Sequence, residues 1–243
     1  MKIISTWIAK GGVGKSTLAG NLAYYLRERG RVLLIDADPQ GNTSGWLHPE
    51  PFDWELADIL GERVRVEEAV IPIRPSLDLI GTFAIGGNLK NWAETVLPGR
   101  PFAFHDLRDE LEAAGYDFII FDMSPGASML EKSIIAIADE VIPVVRPEYF
   151  SIDGLEVFED TIQRIRKELR SKAETSRLVV NGINMSFSVH RSYFESLKDF
   201  SYQIFTIGQT TKATEAQTAH KFLAEYDPAN KVLGEYDRLA KVV

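Results

Sequence analysis

The segment that most restricts what this chain can fold into is Lys10-Gly11-Gly12-Val13-Gly14-Lys15-Ser16-Thr17, because of what stands on either side of it. The apolar run Ile3–Ile8 reads as a buried strand. Leu18, Leu22 and Leu26 then recur at i, i+4 spacing and Gly30 supplies a stop, so a helix is predicted from about Ser16 to Glu28. Val32–Asp36 follows as a second strand, which makes the glycine-rich segment the first turn of a βαβ unit. Glycines at 11, 12 and 14 let backbone N–H groups converge on an anion without Cβ obstruction, and the positive end of the following helix points at the same place. In such a loop Lys15 contacts the β- and γ-phosphates of a nucleotide and the Ser16 hydroxyl ligates the bridging magnesium. Gly11, Gly12, Val13, Gly14 and Thr17 complete the cradle.

Further apolar runs at Phe118–Asp122, Glu140–Val145 and Arg177–Val180 alternate with helical patterns. That alternation predicts an α/β fold with a doubly wound, mostly parallel sheet flanked by helices. The stretch Pro49–Arg100 is rich in proline, glycine and charge, and is expected to hold short helices and an excursion at Leu77–Ile80. With no repeat and no linker, residues 1–243 are expected to form a single P-loop domain, and so short a segment before the loop leaves no room for an N-terminal helix-turn-helix domain.

Composition removes several function classes. The absence of cysteine excludes disulfides, zinc–thiolate sites and iron–sulfur ligation. A net charge of −8 confines any nucleic-acid contact to a local basic patch. No apolar run reaches the roughly 20 residues of a membrane span, and the tail Glu235–Val243, with Glu235 and Asp237, makes a poor amphipathic anchor. His48, His105, His190 and His220 show no metal-ligand spacing. Tyr226, Tyr236 and Leu239 are expected to pack, the first within a helix over Thr218–Tyr226.

Ala9 stands where the strict Walker pattern has glycine, and Lys10 follows it. Here the chain resembles the deviant Walker-A family, which includes ParA partition ATPases, MinD and the nitrogenase iron protein. The resemblance implies that Lys10 is the signature lysine that reaches across an ATP-bound homodimer to the partner's phosphates, a role like that of an arginine finger. Asp36-Ala37-Asp38-Pro39-Gln40-Gly41-Asn42 is similar to the ParA segment in which Asp38 orients or activates the attacking water and Asp36 supports the magnesium shell. Read without the resemblance, a cap and a turn, which Pro39 fits, account for the two aspartates better. Asp122, at the end of its apolar run, matches a Walker-B aspartate that holds magnesium through water, and Met123-Ser124-Pro125-Gly126 occupies the switch position. The runs Ala138–Val144 and Pro147–Leu155 closely resemble the ParA branch.

The same resemblance places adenine against Asn181 and against Gly208, which replaces the family's usual proline; a backbone-satisfied asparagine is the equal alternative for Asn181. It also assigns DNA contacts to Arg191, in the loop after Asn184, and to Lys212, whereas the denser group Arg164, Arg166, Lys167, Arg170 and Lys172 cannot share one helix face. The implied protein is a cytoplasmic, nucleoid-associated ATPase that uses ATP and Mg2+, dimerises on ATP, binds double-stranded DNA without sequence preference and is stimulated by a ParB-like or adaptor partner. Its work would be segregation of a plasmid or chromosome. The alternatives are positioning of a protein cargo such as a carboxysome, and a nucleotide-switched scaffold with little hydrolysis.

Overall fold

Continuous burial along the apolar runs is what a strand covered on both faces requires, and β1 (Lys2–Thr6), β2 (Val32–Ala37) and β5 (Phe118–Met123) meet it from the second residue onward. In the computed structural model, which describes every residue except Tyr149 and Phe150, these three strands form the centre of the sheet. Both of those residues fall within the ParA-like run Pro147–Leu155 and lie outside the described residues. The remaining strands are β3 (Ile71–Arg74), β4 (Leu77–Ile80), β6 (Glu140–Ile142), β7 (Val144–Val145), β8 (Arg177–Ile183) and β9 (Gln203–Gly208).

Six strands run in the order β3-β4-β2-β5-β1-β6, and β7-β8-β9 form a second ladder. Among the described residues only the β3–β4 pairing is antiparallel. The second ladder continues the first, since β6 and β7 are one extended segment divided at Pro143, whose carbonyl accepts from Val179 N at 3.0 Å. Proline has no N–H for the ladder, and the strand expected over Glu140–Val145 is split there. A second difference concerns Leu77–Ile80, which is no excursion: Leu77, Leu79 and Ile80 are fully buried, and the segment pairs with β2 from Val32↔Leu77 to Ile35↔Ile80.

From β1 the chain builds toward β2 and β4 on one side, and after β5 it builds toward β6, β8 and β9 on the other. Right-handed crossovers then send the connecting helices to opposite faces, and the reversal opens a crevice at the carboxyl ends of the central strands. The doubly wound fold is as expected.

The helix Lys15–Leu26 carries Leu18, Leu22 and Leu26 into the core, and Tyr25 stacks on Tyr236 of the helix Leu233–Ala240 with ring centroids 6.5 Å apart. The helix expected over Thr218–Tyr226 is instead the end of Lys212–Thr218 and a separate turn, Leu223–Tyr226. His220 sits between them at φ +53°, a left-handed conformation that no helix continues through. The break lets Phe222 bury fully against Trp46 and Tyr24. Among the described residues no helix is long and apolar enough to cross a membrane.

Candidate nucleotide site

Strand register sets the site. Thr6 of β1 and Asp36 of β2 both pair with Asp122 of β5, so the glycine-rich loop and two carboxylates leave the sheet at one level. Gly12 and Gly14 take φ of +71° and +97°, conformations that a side chain would strain, and Gly14 is the left-handed cap from which the helix Lys15–Leu26 starts. Open space lies beyond the Cα of both Gly11 and Gly12. Beside the loop is a cleft of about 560 Å³, bounded by Lys15, Ser16, Thr17, Asp38, Trp46 and Gln217 among others. That volume suits a small organic ligand.

Lys15 is 6% exposed, and its ammonium donates to the Lys10 carbonyl at 2.8 Å. Burial pulls its pKa below the ordinary lysine value, against the opposing charges of Asp122, Asp38 and Glu131. A buried cation with one neutral acceptor, at the wall of a cleft that the glycine-rich loop borders, is built to meet an anion.

Both central aspartates are fully buried, and burial, with the charge of Asp122 next, raises the carboxyl of Asp36 above the usual range. Asp36 accepts from Ser44 N and Ser44 Oγ, both at 2.7 Å, and from Asp38 N at 3.2 Å. It therefore acts on the cleft at one remove, by fixing the turn that presents Asp38. Asp122 is likewise raised by burial, opposed by the Thr43 and Ser16 hydroxyls. Thr43 Oγ1 donates to Asp122 Oδ2 at 2.6 Å, while Oδ1 is buried and has no hydrogen-bond partner among the described residues. An orphaned carboxylate oxygen beside Ser16 is costly unless something fills the position, and a divalent cation or its water shell fits it. Among the described residues no three His, Asp or Glu side chains converge on one point, so such an ion would take its other ligands from phosphate or water.

The chain downstream of Asp122 is tied down at two places. Trp7 Nε1 donates to the Gly126 carbonyl at 2.8 Å, and Glu131 accepts from Ser124 Oγ, from Ser128 N at 2.7 Å and from Ser128 Oγ at 2.6 Å. The segment Met123–Gly126 is thus held between the end of β1 and the capping box of the helix Met129–Ile137.

Residues 1–175 match the family model described as an AAA domain. Over 96% of this chain and 92% of its partner in the comparison, the sequence is 30% identical to the chromosome-partitioning ATPase Soj of Thermus thermophilus. An uncharacterised protein of Borreliella burgdorferi is 32% identical over 98% of both chains. The chain belongs to the ParA-type P-loop ATPases. In fold it is similar to the ATP complex of a McdA variant from Cyanothece, with a TM-score of 0.85 at 20% identity, covering 100% of this chain and 97% of that one.

Of the residues expected on ParA resemblance, Gly11, Gly12, Gly14, Lys15, Ser16, Thr17 and Asp38 line the cleft together. Val13 is buried, with its carbonyl turned to Asn181. Lys10 lies apart from the cleft wall and pairs with Glu148 at 3.0 Å, both side chains partly exposed. Asn181 and Gly208 do not line the cleft. The Asn181 amide donates to Val13 O at 2.8 Å, which is the backbone-satisfied alternative, and Gly208 N donates to Glu235 Oε2 at 2.7 Å, a bond that the family's proline could not make.

Arg191 lies within the helix Ser188–Ser196, and its guanidinium reaches back to the carbonyls of Met185 and Ser186. Lys212 starts its own helix, paired with Glu215 at 2.7 Å. Both are exposed. In the denser basic group, Arg164 and Arg166 donate to Thr161, Ala173 and Thr175, which favours the surface-helix reading for those two. Sequence reasoning missed Thr43, Ser44, Trp46, Glu131 and Gln217. Thr43 and Ser44 follow directly on the ParA-like aspartate segment and Glu131 closes a Ser-x-x-Glu capping-box pattern with Ser128, so those motifs could have flagged them; Trp46 and Gln217 have no local signal.

Proposed function

We propose that this chain is an ATPase that binds Mg-ATP in the cleft, dimerises in response, and in the dimeric state holds duplex DNA without sequence preference. The observation that carries the reading is the separation of the two loop lysines. Lys15 is buried at the cleft wall, whereas Lys10 is five residues away on the outer side, held by a surface carboxylate. One lysine serves the chain's own phosphates; the other is free to change partner when a second copy approaches.

In this reading the backbone N–H groups at Gly11–Ser16 and the Lys15 ammonium bind the phosphates, and Ser16 Oγ and Asp122 hold magnesium, which when bound neutralises charge on the phosphate oxygens. Asp38 is 8% exposed at the cleft, with Oδ1 accepting from Gln40 N at 2.9 Å. That bond fixes the carboxylate and leaves Oδ2 to orient a water. The buried Asp36–Ser44 bonds keep the turn in place. Relatives that include a chromosome-partitioning ATPase support segregation or positioning of a cargo as the biological output, with hydrolysis timed by a partner protein and a cytoplasmic, nucleoid-bound location.

The deciding experiment is Lys10→Ala followed by size-exclusion chromatography with ATP. ATP binding is expected to persist and the ATP-dependent dimer to disappear; a dimer that forms unchanged removes Lys10 from this role. Asp38→Ala separates the motor from a scaffold that merely dimerises. The motor reading expects phosphate release to fall by on the order of 100-fold, the scale of a positioned general base. Unchanged turnover would leave the scaffold.

A further inference from the structure

Neither Asn181 nor Gly208 lines the cleft, whereas Gln217, from a distant part of the chain, does. The geometry points to Gln217 as a specificity-determining residue that accepts a hydrogen bond from the ribose hydroxyls of the bound nucleotide. This rests on the nucleotide reading of the cleft and adds the group that recognises its sugar.

Gln217 lies in the helix Lys212–Thr218, 200 positions from the glycine-rich loop in sequence, yet its Nε2 donates to Thr17 Oγ1 at 3.0 Å and its side chain lines the cleft. That bond turns the amide nitrogen of Gln217 toward Thr17. Among the described residues nothing donates to the Gln217 Oε1, which is left as an acceptor. A carboxamide oxygen repels phosphate oxygens and accepts from hydroxyls, so its chemistry suits a sugar rather than the phosphate chain. Trp46, which also lines the cleft, offers an indole whose N–H is already committed to Lys221 O at 3.0 Å. Gln217 Oε1 thus adds a neutral acceptor to a cleft whose buried cation is Lys15.

The segment that carries Gln217 is fixed well enough to discriminate. Gln217 Nε2 bonds Thr17 Oγ1 and Leu223 N donates to Asn21 Oδ1 at 3.0 Å, so the loop helix is stitched to residues 217–223 at two points one turn apart. The Trp46 carbonyl lies 3.1 Å from His220 Nδ1, closing a third link. A ribose reader mounted this way is rigid relative to the phosphate cradle, which is what selectivity needs.

Calorimetric titration of the wild-type chain and of Gln217→Ala with Mg-ATP, Mg-2′,3′-dideoxy-ATP and magnesium tripolyphosphate tests this. The wild type is expected to bind ATP about tenfold more tightly than the dideoxy analogue, the scale of one neutral hydrogen bond. Q217A is expected to lose that difference and to bind tripolyphosphate as the wild type does. Equal binding of ATP and dideoxy-ATP by the wild type overturns the assignment. So does an equal loss for all three ligands in Q217A, which would make Gln217 a brace for Thr17 and nothing more. Failure of the wild type to bind ATP at all would overturn the nucleotide reading itself, a result distinct from either.

Discussion

Asn181 and Gly14 compete for one space: a Cβ on Gly14 would lie 2.1 Å from the Asn181 amide nitrogen, and that nitrogen is the donor to Val13 O. The end of β8 thereby clamps the phosphate loop from outside, and the φ of +97° at Gly14 is stabilised by a contact that no other residue type permits.

Asn181→Ala should therefore act on the loop and not on the base. Loss of one partly buried hydrogen bond predicts a stability decrease of about 0.5–1.5 kcal/mol in urea denaturation. Affinity for ATP and for tripolyphosphate should fall by the same factor. A loss confined to ATP would show instead that Asn181 reads adenine. Gly14→Ala should abolish binding of both ligands, and Asn181→Ala should not rescue it, since removing the clash leaves the strained φ.

Lys15 predicts opposite effects on stability and binding. Its charge is desolvated in the folded chain, and its pKa is lowered, so the apo protein carries a cost that a ligand removes. Lys15→Met keeps the buried stem and deletes the charge. Its melting temperature without nucleotide should match or exceed that of the wild type, while ATP produces no thermal shift. A melting temperature well below the wild type would mean that the Lys10 carbonyl and the neighbouring carboxylates already compensate the buried ammonium.

The proton on the buried aspartates gives a pH dependence with a definite sign. Asp122 is raised above its ordinary value of 3.8, first by burial, so the folded apo chain holds more protons than the unfolded chain from that value up to the raised one. Apo stability is fully present below the window and declines as pH rises through it. Magnesium needs the ionised carboxylate, so Mg-ATP binding should release protons and strengthen with pH across the same window. Titration calorimetry at about pH 6, in two buffers of different ionisation enthalpy, should report this release. In Asp122→Asn the magnesium-dependent part of the affinity should be lost, and with it the proton release that belongs to this carboxyl.

How much of this was legible in the sequence follows from how far apart the cooperating residues lie. The loop with Lys15 and Ser16 and the central strands are local patterns, apolar runs bounded by a glycine turn, and their places were readable, whereas Asp38 was singled out only through the resemblance to ParA. Asp122 was readable because it closes such a run. Its partner Thr43 lies 79 positions away, and Gln217 lies 200 from Thr17, so neither carries a periodic or motif signal of its own. The division of β6 from β7 was in principle visible at Pro143, but the flanking residues are so uniformly apolar that they read as one strand. His220 is the opposite case. Its left-handed φ has no sequence signature such as glycine, and a continuous helix was expected through it.

Gly208 supplies the last prediction, because the resemblance to ParA would favour proline there and the structure opposes it. Gly208 N is the donor to Glu235 Oε2 at 2.7 Å, joining the end of β9 to the helix Leu233–Ala240 that packs on Tyr25. Gly208→Pro removes the donor, and its ring meets Glu235 and Val232, which lies 3.2 Å from where a Cβ would stand. A loss of about 1–3 kcal/mol in urea denaturation is expected, the cost of leaving a partly buried carboxylate without its donor. Gly208→Ala keeps the N–H and meets only the tight Val232 contact, so it should cost less than half as much. If the proline variant were as stable as the wild type, the bond to Glu235 would contribute nothing, and the glycine at this position would be incidental to how the C-terminal helix is held.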